Sequence, residues 1–284
     1  MKKQNICVIG LGYIGLPTAA LIANKGYDVA GIDINQKIVS TINKGEIHIV
    51  EADLEAVVRS AVLSGRLKAY NKIQPSDIYL ICVPTPFHQH DDMPQPNIDY
   101  VLSATKSIAP FIKPGDLIIL ESTSPVGTTE KIQKLLNELQ VNLEDVHIAY
   151  CPERVLPGKI LKELVENDRI IGGLTSASTK KVLDFYRLFV NGNIFETDAR
   201  TAEMCKLAEN SFRDTNIAFA NELSMICDNN GINIWDLIKL ANKHPRVNIL
   251  QPGTGVGGHC IAVDPWFIIS QDTQNTKIIR SARE

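Results

Sequence analysis

The first 33 residues constrain the fold more than any other part of the chain. Asn5-Ile6-Cys7-Val8-Ile9 is a short apolar run with the pattern of a buried parallel strand. Gly10-Leu11-Gly12-Tyr13-Ile14-Gly15 follows, and Leu16 to Lys25 continues with small and apolar residues suited to a helix packed on a sheet. Gly26-Tyr27 ends that helix, and Asp28 to Ile32 forms a second strand closed by Asp33, 23 residues after Gly10. GxGxxG alone is a weak signal. Between a strand and a helix, with an acid at the end of the next strand, it is the dinucleotide-binding fingerprint. The first glycine permits a tight turn, the second lets backbone approach a pyrophosphate, and the third lets helix and strand pack closely. Unpaired N–H groups and the dipole at the helix N-terminus favour the phosphates. Asp33 would accept hydrogen bonds from ribose hydroxyls and repel a 2′-phosphate, so NAD is favoured over NADP. The expected cofactor contacts here are Gly10, Gly12, Tyr13, Ile14, Gly15 and Asp33; the plainer alternative is a tight turn without a ligand.

The same stretch has a competing reading. Met1-Lys2-Lys3 followed by an uncharged segment to Asn24 resembles a signal peptide or a membrane span. Three glycines and Pro17 interrupt it, and the strand–turn–helix reading accounts for those glycines.

A length of 284 residues suggests two domains, and 44% hydrophobic residues suffice for a sizeable core. Lys and Arg number 29 against 32 Asp and Glu, a net charge of −3, and no cationic cluster offers a nucleic-acid surface. The six cysteines form no CxxC pair and no metal-ligand spacing, which points to a reducing cytoplasm rather than a disulfide framework.

Strand–helix alternation continues to about residue 198, predicting an α/β fold with a doubly wound parallel sheet of Rossmann type over residues 1–198. Strands are expected at Ile78 to Val83, Leu117 to Leu120 and Val146 to Tyr150, with helices between them at Asn97 to Ala109 and Thr128 to Leu139. Ligands of such sheets bind beyond the carboxyl ends of the strands, where Thr85, Thr123 and Glu153 fall. The insert Phe87 to Pro96, with His88, His90, Asp91 and Asp92, looks like a metal cluster on paper. It is read as a solvated polar loop, and no metal is expected.

From residue 199 to 284 the pattern is helical, beginning with one long helix over Ala199 to Asn229. Lys206, Asn210 and Arg213 are spaced to share one face of it. A solvent-exposed polar stripe is the plain reading of such a face. It loses ground to the loop downstream, Gly253-Thr254-Gly255-Val256-Gly257-Gly258-His259-Cys260. Four glycines in that short loop permit close approach to a ligand. Cys7 and Cys82 fall in expected core strands, Cys205 and Cys227 on the long helix, and Cys151 is read as packing. Cys260 is the one thiol placed like a nucleophile, although a purely structural role stays open. An NAD site with a reactive thiol suits a two-stage oxidation. An alcohol becomes an aldehyde, the thiolate captures it as a thiohemiacetal, a second hydride leaves to give a thioester, and hydrolysis releases a carboxylate. Lys206 and Asn210 would stabilise the oxyanion.

Four motifs resemble one family, the UDP-glucose/GDP-mannose dehydrogenases, nucleotide-sugar enzymes that make uronic acids: GLGYIGLP from Gly10, STSPVGTT from Ser122, CPERVLPG from Cys151, and KLAENSFRD from Lys206 running on to GVGGHCIAVDPWF from Gly255. Arg154-Val155 and the stretch from His244 to Ile249 are similar to the branch acting on UDP-N-acetyl-D-mannosamine, with Thr254 where proline is commoner. The resemblance implies Cys260 as nucleophile, Lys206 as proton donor and oxyanion stabiliser, and Asn210 as its helper. It implies Asp264 and Glu153 in water positioning or base work, and Thr123 near the nicotinamide. Arg154, Val155, Lys206, Asn210, Arg213, His244, Arg246 and Gly257 would contact the UDP-sugar, and the long helix would form a homodimer. Family members continue into a third, UDP-binding domain. Its absence here leads us to expect a truncated chain that binds NAD and oxidises its substrate poorly. Two other readings stay open: a non-catalytic NAD-binding fragment, and a two-electron dehydrogenase in which Cys260 is incidental.

Overall fold

A computed structural model describes residues 4–88, 93–256 and 261–284. The chain opens with β1 (Asn5–Ile9), α1 (Gly15–Asn24), β2 (Asp28–Ile32), α2 (Gln36–Asn43), α3 (Leu54–Leu63), β3 (Leu67–Tyr70) and β4 (Ile78–Ile81). A short pair, β5 (Phe87–His88) and β6 (Gln95–Pro96), precedes α4 (Asp99–Ile108), β7 (Leu117–Leu120), α5 (Thr128–Glu138) and β8 (His147–Tyr150). Then come α6 (Ile160–Glu166), β9 (Arg169–Gly173), α7 (Ser176–Tyr186), β10 (Ile194–Asp198) and the long α8 (Ala199–Asn229). The chain closes with α9 (Ile234–Ala241), α10 (Asp264–Ile269) and α11 (Lys277–Arg283).

The described residues divide into two compact units: Met1–Thr85 with Ile98–Met204, and Pro86–Asn97 with Cys205–Glu284. The first contains an eight-stranded sheet of order β10-β9-β8-β7-β4-β1-β2-β3. Its central strands are apolar throughout because helices cover both faces. Ile6 and Val8 face one core with Leu80 and Ile119, while Cys7 and Ile9 face the other with Ile81 and Leu120. β1 pairs with β2 on one side and β4 on the other, so the strand order reverses between β1 and β4. That reversal opens a crevice beyond the carboxyl ends of both strands.

The sheet departs from the wholly parallel expectation. β9 runs antiparallel to β8, pairing Tyr150 with Gly172, and β10 is parallel to β9. The connection through the seven-residue α6 is short, and the chain re-enters the sheet from the end at which β8 left it. Continuing the Tyr150–Gly172 register by three residues sets Glu153 opposite Arg169, the first residue of β9.

A second correction concerns the insert read as a loop. Its described ends form the antiparallel pair β5–β6 and group with the second unit, where Phe87 meets Phe267 of α10 edge-on at 5.9 Å. His88 is exposed, whereas His90, Asp91 and Asp92 lie outside the described residues. In the second unit, Arg283 of α11 forms a two-pronged ion pair with the buried Asp214 of α8 at 2.5 and 2.6 Å. Among the described residues no helix is long and apolar enough to cross a membrane.

Candidate active site

The first unit presents the cofactor crevice. Gly10 has φ +91°, and a Cβ there would lie 2.7 Å from the Cys82 carbonyl oxygen, where β1 and β4 diverge. A Cβ on Gly15 would come within 1.8 Å of the Gly10 carbonyl oxygen, so this glycine sets how closely α1 approaches β1. A Cβ on Gly12 would meet nothing within 4 Å. Open space at that position leaves room for a ligand to reach the backbone. The N-terminus of α1 has neither a side-chain cap nor an acid in its first turn, so the positive end of the helix dipole suits an anion. Asp33 is oriented by two backbone donors, Leu11 N at 3.2 Å and Asn35 N at 2.9 Å. Tyr13 is half exposed on the turn, and Ile14 is partly buried beside it. Thr85 donates to the Thr123 carbonyl oxygen at 2.6 Å, joining the ends of β4 and β7. These residues fit an NAD dinucleotide.

Glu153 lies at the same end of the sheet, beyond β8, but it is not an open carboxylate. It is buried and ion-paired with Arg169, and its other oxygen accepts from Arg154 N at 3.3 Å. Arg154 reaches the Asp168 carbonyl oxygen at 3.1 Å, and Val155 beside it is half buried. The sequence reading missed the neighbours of Glu153. Glu121, after β7, accepts from Tyr186 Oη at 2.5 Å and from Cys82 Sγ at 3.0 Å. Burial first, and then the charge of Glu153, raise its carboxyl to about 7. Burial also pushes the Cys7 and Cys151 thiols up to about 12 and Cys82 well above its ordinary value, which makes all three poor nucleophiles at neutral pH.

The second unit holds a buried set of a lysine, an asparagine and an aspartate. Lys206 and Asn210 are buried on α8, and Asn210 Nδ2 donates to Asp264 Oδ2 at 2.5 Å. Burial raises the Asp264 carboxyl to about 6, against the pull of the Asn210 hydrogen bond and the Lys206 ammonium. Arg213 shares their helical face yet is exposed, and burial along α8 continues at Ser211 and Asp214 instead. The stripe is therefore a buried pair with an exposed arginine beyond it. Asp264 opens α10, with Pro265 fitting the first turn of the helix.

His244 and Arg246 are exposed in the turn after α9, with Arg246 N donating to His244 Nδ1 at 3.3 Å. Three asparagines hold the loop that follows. Asn242 exchanges hydrogen bonds with Ile249 at 2.8 and 2.9 Å, Asn216 accepts from Leu250 N at 2.9 Å, and Asn221 accepts from Gly253 N at 2.8 Å. Gly255 has φ +144°. The two remaining expected site residues, Gly257 and Cys260, lie outside the described residues.

Residues 4–190 match the NAD binding domain of the UDP-glucose/GDP-mannose dehydrogenase family, and residues 200–284 match its central domain. The chain is 57% identical to UDP-N-acetyl-D-mannosamine dehydrogenase of Escherichia coli K12, over 100% of this chain and 69% of that protein. It is equally 57% identical to an NDP-N-acetyl-D-galactosaminuronic acid dehydrogenase of Ralstonia nicotianae, over 99% of this chain and 68% of that protein. The solved structure of UDP-D-ManNAc dehydrogenase from Pyrococcus horikoshii superposes with a TM-score of 0.93 at 44% identity, covering 98% of this chain and 67% of that one. The chain belongs to the UDP-glucose/GDP-mannose dehydrogenase family of NAD-dependent oxidoreductases.

Proposed function

We propose that the chain oxidises the C6 hydroxyl of UDP-N-acetyl-D-mannosamine to the carboxylate, giving UDP-N-acetyl-D-mannosaminuronate. Residues 1–198 act as the NAD domain and residues 199–284 as the helical domain carrying the chemistry. The observation that carries this reading is the buried Lys206–Asn210–Asp264 set, whose Asp264 follows Cys260 by four residues in sequence. NAD, when bound, would supply the hydride acceptor, with a fresh molecule for each of the two oxidations. Lys206 and Asn210 would donate to the oxygen that becomes negative when the Cys260 thiolate adds to the aldehyde. Loss of a second hydride leaves a Cys260 thioester. Water then attacks its carbonyl, the thiolate departs, and the acid is released. Asp264, titrating at about 6, is ionised at neutral pH yet basic enough to take the water's proton. Glu153 would orient that water from its buried position.

Thr123 and Thr85 would lie along the nicotinamide half of the cofactor. Arg154, Val155, Arg213, His244, Arg246 and Gly257 would contact the sugar nucleotide, the exposed cations suiting its diphosphate. Cys7, Cys82, Cys151 and Cys227 form no disulfide, which suits a reducing cytoplasm. Exposed Phe212, Phe219 and Ile226 recur every seven residues along α8, supporting a homodimer through that helix. A galacto-configured N-acetylhexosamine substrate is the second reading, on the strength of the equal identity to the Ralstonia protein. Parallel kcat/KM measurements with UDP-N-acetyl-D-mannosamine, UDP-N-acetyl-D-galactosamine and UDP-glucose separate these readings. A clear preference for the mannosamine sugar is expected, and preference for either other sugar overturns the assignment.

A further inference from the structure

Six side chains, five buried and Cys82 partly so, form a polar cluster at the carboxyl end of the sheet: Cys82 after β4, Glu121 after β7, Cys151 and Glu153 after β8, Arg169 at the start of β9, and Tyr186 of α7. Glu121, Glu153 and Arg169 are 3%, 7% and 3% exposed, so two carboxyls lie almost out of water with a single guanidinium, which pairs with Glu153. Arg169 is committed on several sides. Nη1 pairs with Glu153 and lies 3.9 Å from Cys151 Sγ, Nη2 donates to the Leu164 carbonyl oxygen at 2.9 Å, and the guanidinium sits over the Tyr186 ring at 5.0 Å. Its buried Nε–H has no hydrogen-bond partner among the described residues.

A single arginine neutralises a single carboxylate. Leaving both acids ionised would place an uncompensated negative charge in the interior, which is strongly disfavoured. Both thiols are held neutral by burial, so neither supplies charge. Arg169 is directed at Glu153, while Glu121 receives only the uncharged donors Tyr186 and Cys82. The arrangement therefore separates the two acids, with Glu153 held as the ion-pair partner of Arg169 and the proton retained at Glu121.

We propose that Glu121 and Glu153 form an unequal carboxyl pair, Glu121 keeping its proton and Glu153 clamped by Arg169, in which Arg169 and Glu121 act as positioning residues that fix the orientation of Glu153. This rests on the reading of Glu153 as a water-positioning or base residue. Loss of the proton from Glu121 near neutral pH makes the cluster negative overall and loosens the hold of Arg169 on Glu153. The clamp depends on the reversed direction of β9, since a parallel strand would carry Arg169 to the other end of the sheet.

Infrared titration of the substrate-free 284-residue chain tests the pair without requiring turnover. A protonated-carboxyl C=O band is expected to disappear as pH rises through about 7, and to be missing from Glu121→Gln. In Tyr186→Phe it should persist to higher pH, because a donor favouring the carboxylate is gone. The same variants are assayed for kcat against pH. The wild-type inflection near 7 should vanish in Glu121→Gln, and Arg169→Lys should retain more kcat than Arg169→Met with KM little changed. A neutral-range band that persists in Glu121→Gln overturns the pair. Superimposable pH–rate profiles for wild type and Glu121→Gln overturn the positioning role. Absence of turnover with every sugar nucleotide counts against the dehydrogenase reading and against that positioning role, while the infrared band still judges the pair.

Discussion

Glu121 shows how burial turns one carboxyl into a pH-dependent liability. Its folded-state value of about 7 stands above the ordinary 4.5. For an acid raised in this way, the stability held by the neutral form is complete below the ordinary value and is lost as pH climbs through the folded one. Gln at this position cannot ionise. The melting temperature of Glu121→Gln relative to wild type should therefore rise between pH 4.5 and pH 7.5, the change reaching at most on the order of 3 kcal/mol. Thermal unfolding across that range checks this, and a difference independent of pH contradicts it. Asp264 follows the same logic at lower pH, with two polar neighbours on α8 holding its rise to about 6.

At the scale of elements, the β1–α1 turn separates two roles within one glycine motif. Gly15→Ala places a methyl against backbone, which cannot give way without moving the helix, and should destabilise the fold by roughly 3 kcal/mol or more. Gly12→Ala meets only open space; its melting temperature should stay near wild type while NAD binding weakens by about tenfold or more. Calorimetric melting and an NAD titration on both variants decide the matter, and equal melting losses would refute the division. This turn was legible in the sequence because strand, glycines, helix and acid are all local signals. The long helix was legible for the same reason, being read as Ala199 to Asn229 and observed at those bounds. Strand β9 was not. Arg-Ile-Ile-Gly-Gly carries no mark of direction, and an assumed parallel strand sends Arg169 away from Glu153. Glu121 was passed over because its motif was read for Thr123, although the buried partners of Glu121 come from α7 and the end of β4. The asparagines Asn216 and Asn221 look like ordinary polar helix residues until the loop beside them is seen to need hydrogen-bond partners.

For the molecule as a whole, the second unit leaves Phe212, Phe219 and Ile226 of α8 at 65%, 51% and 49% exposure. An apolar stripe of that length on a helix favours pairing with a like surface. Phe212→Glu/Phe219→Glu should convert a dimer to a monomer in sedimentation velocity, and a wild-type chain that sediments as a monomer contradicts the assignment. The central proposal is an oxidation that proceeds twice on the same carbon through a Cys260 thioester. Counting NADH formed against UDP-N-acetyl-D-mannosamine consumed tests it most directly. Two NADH per sugar, with the yield abolished in Cys260→Ser, is the expected result; one NADH per sugar, unaltered by that substitution, would contradict it.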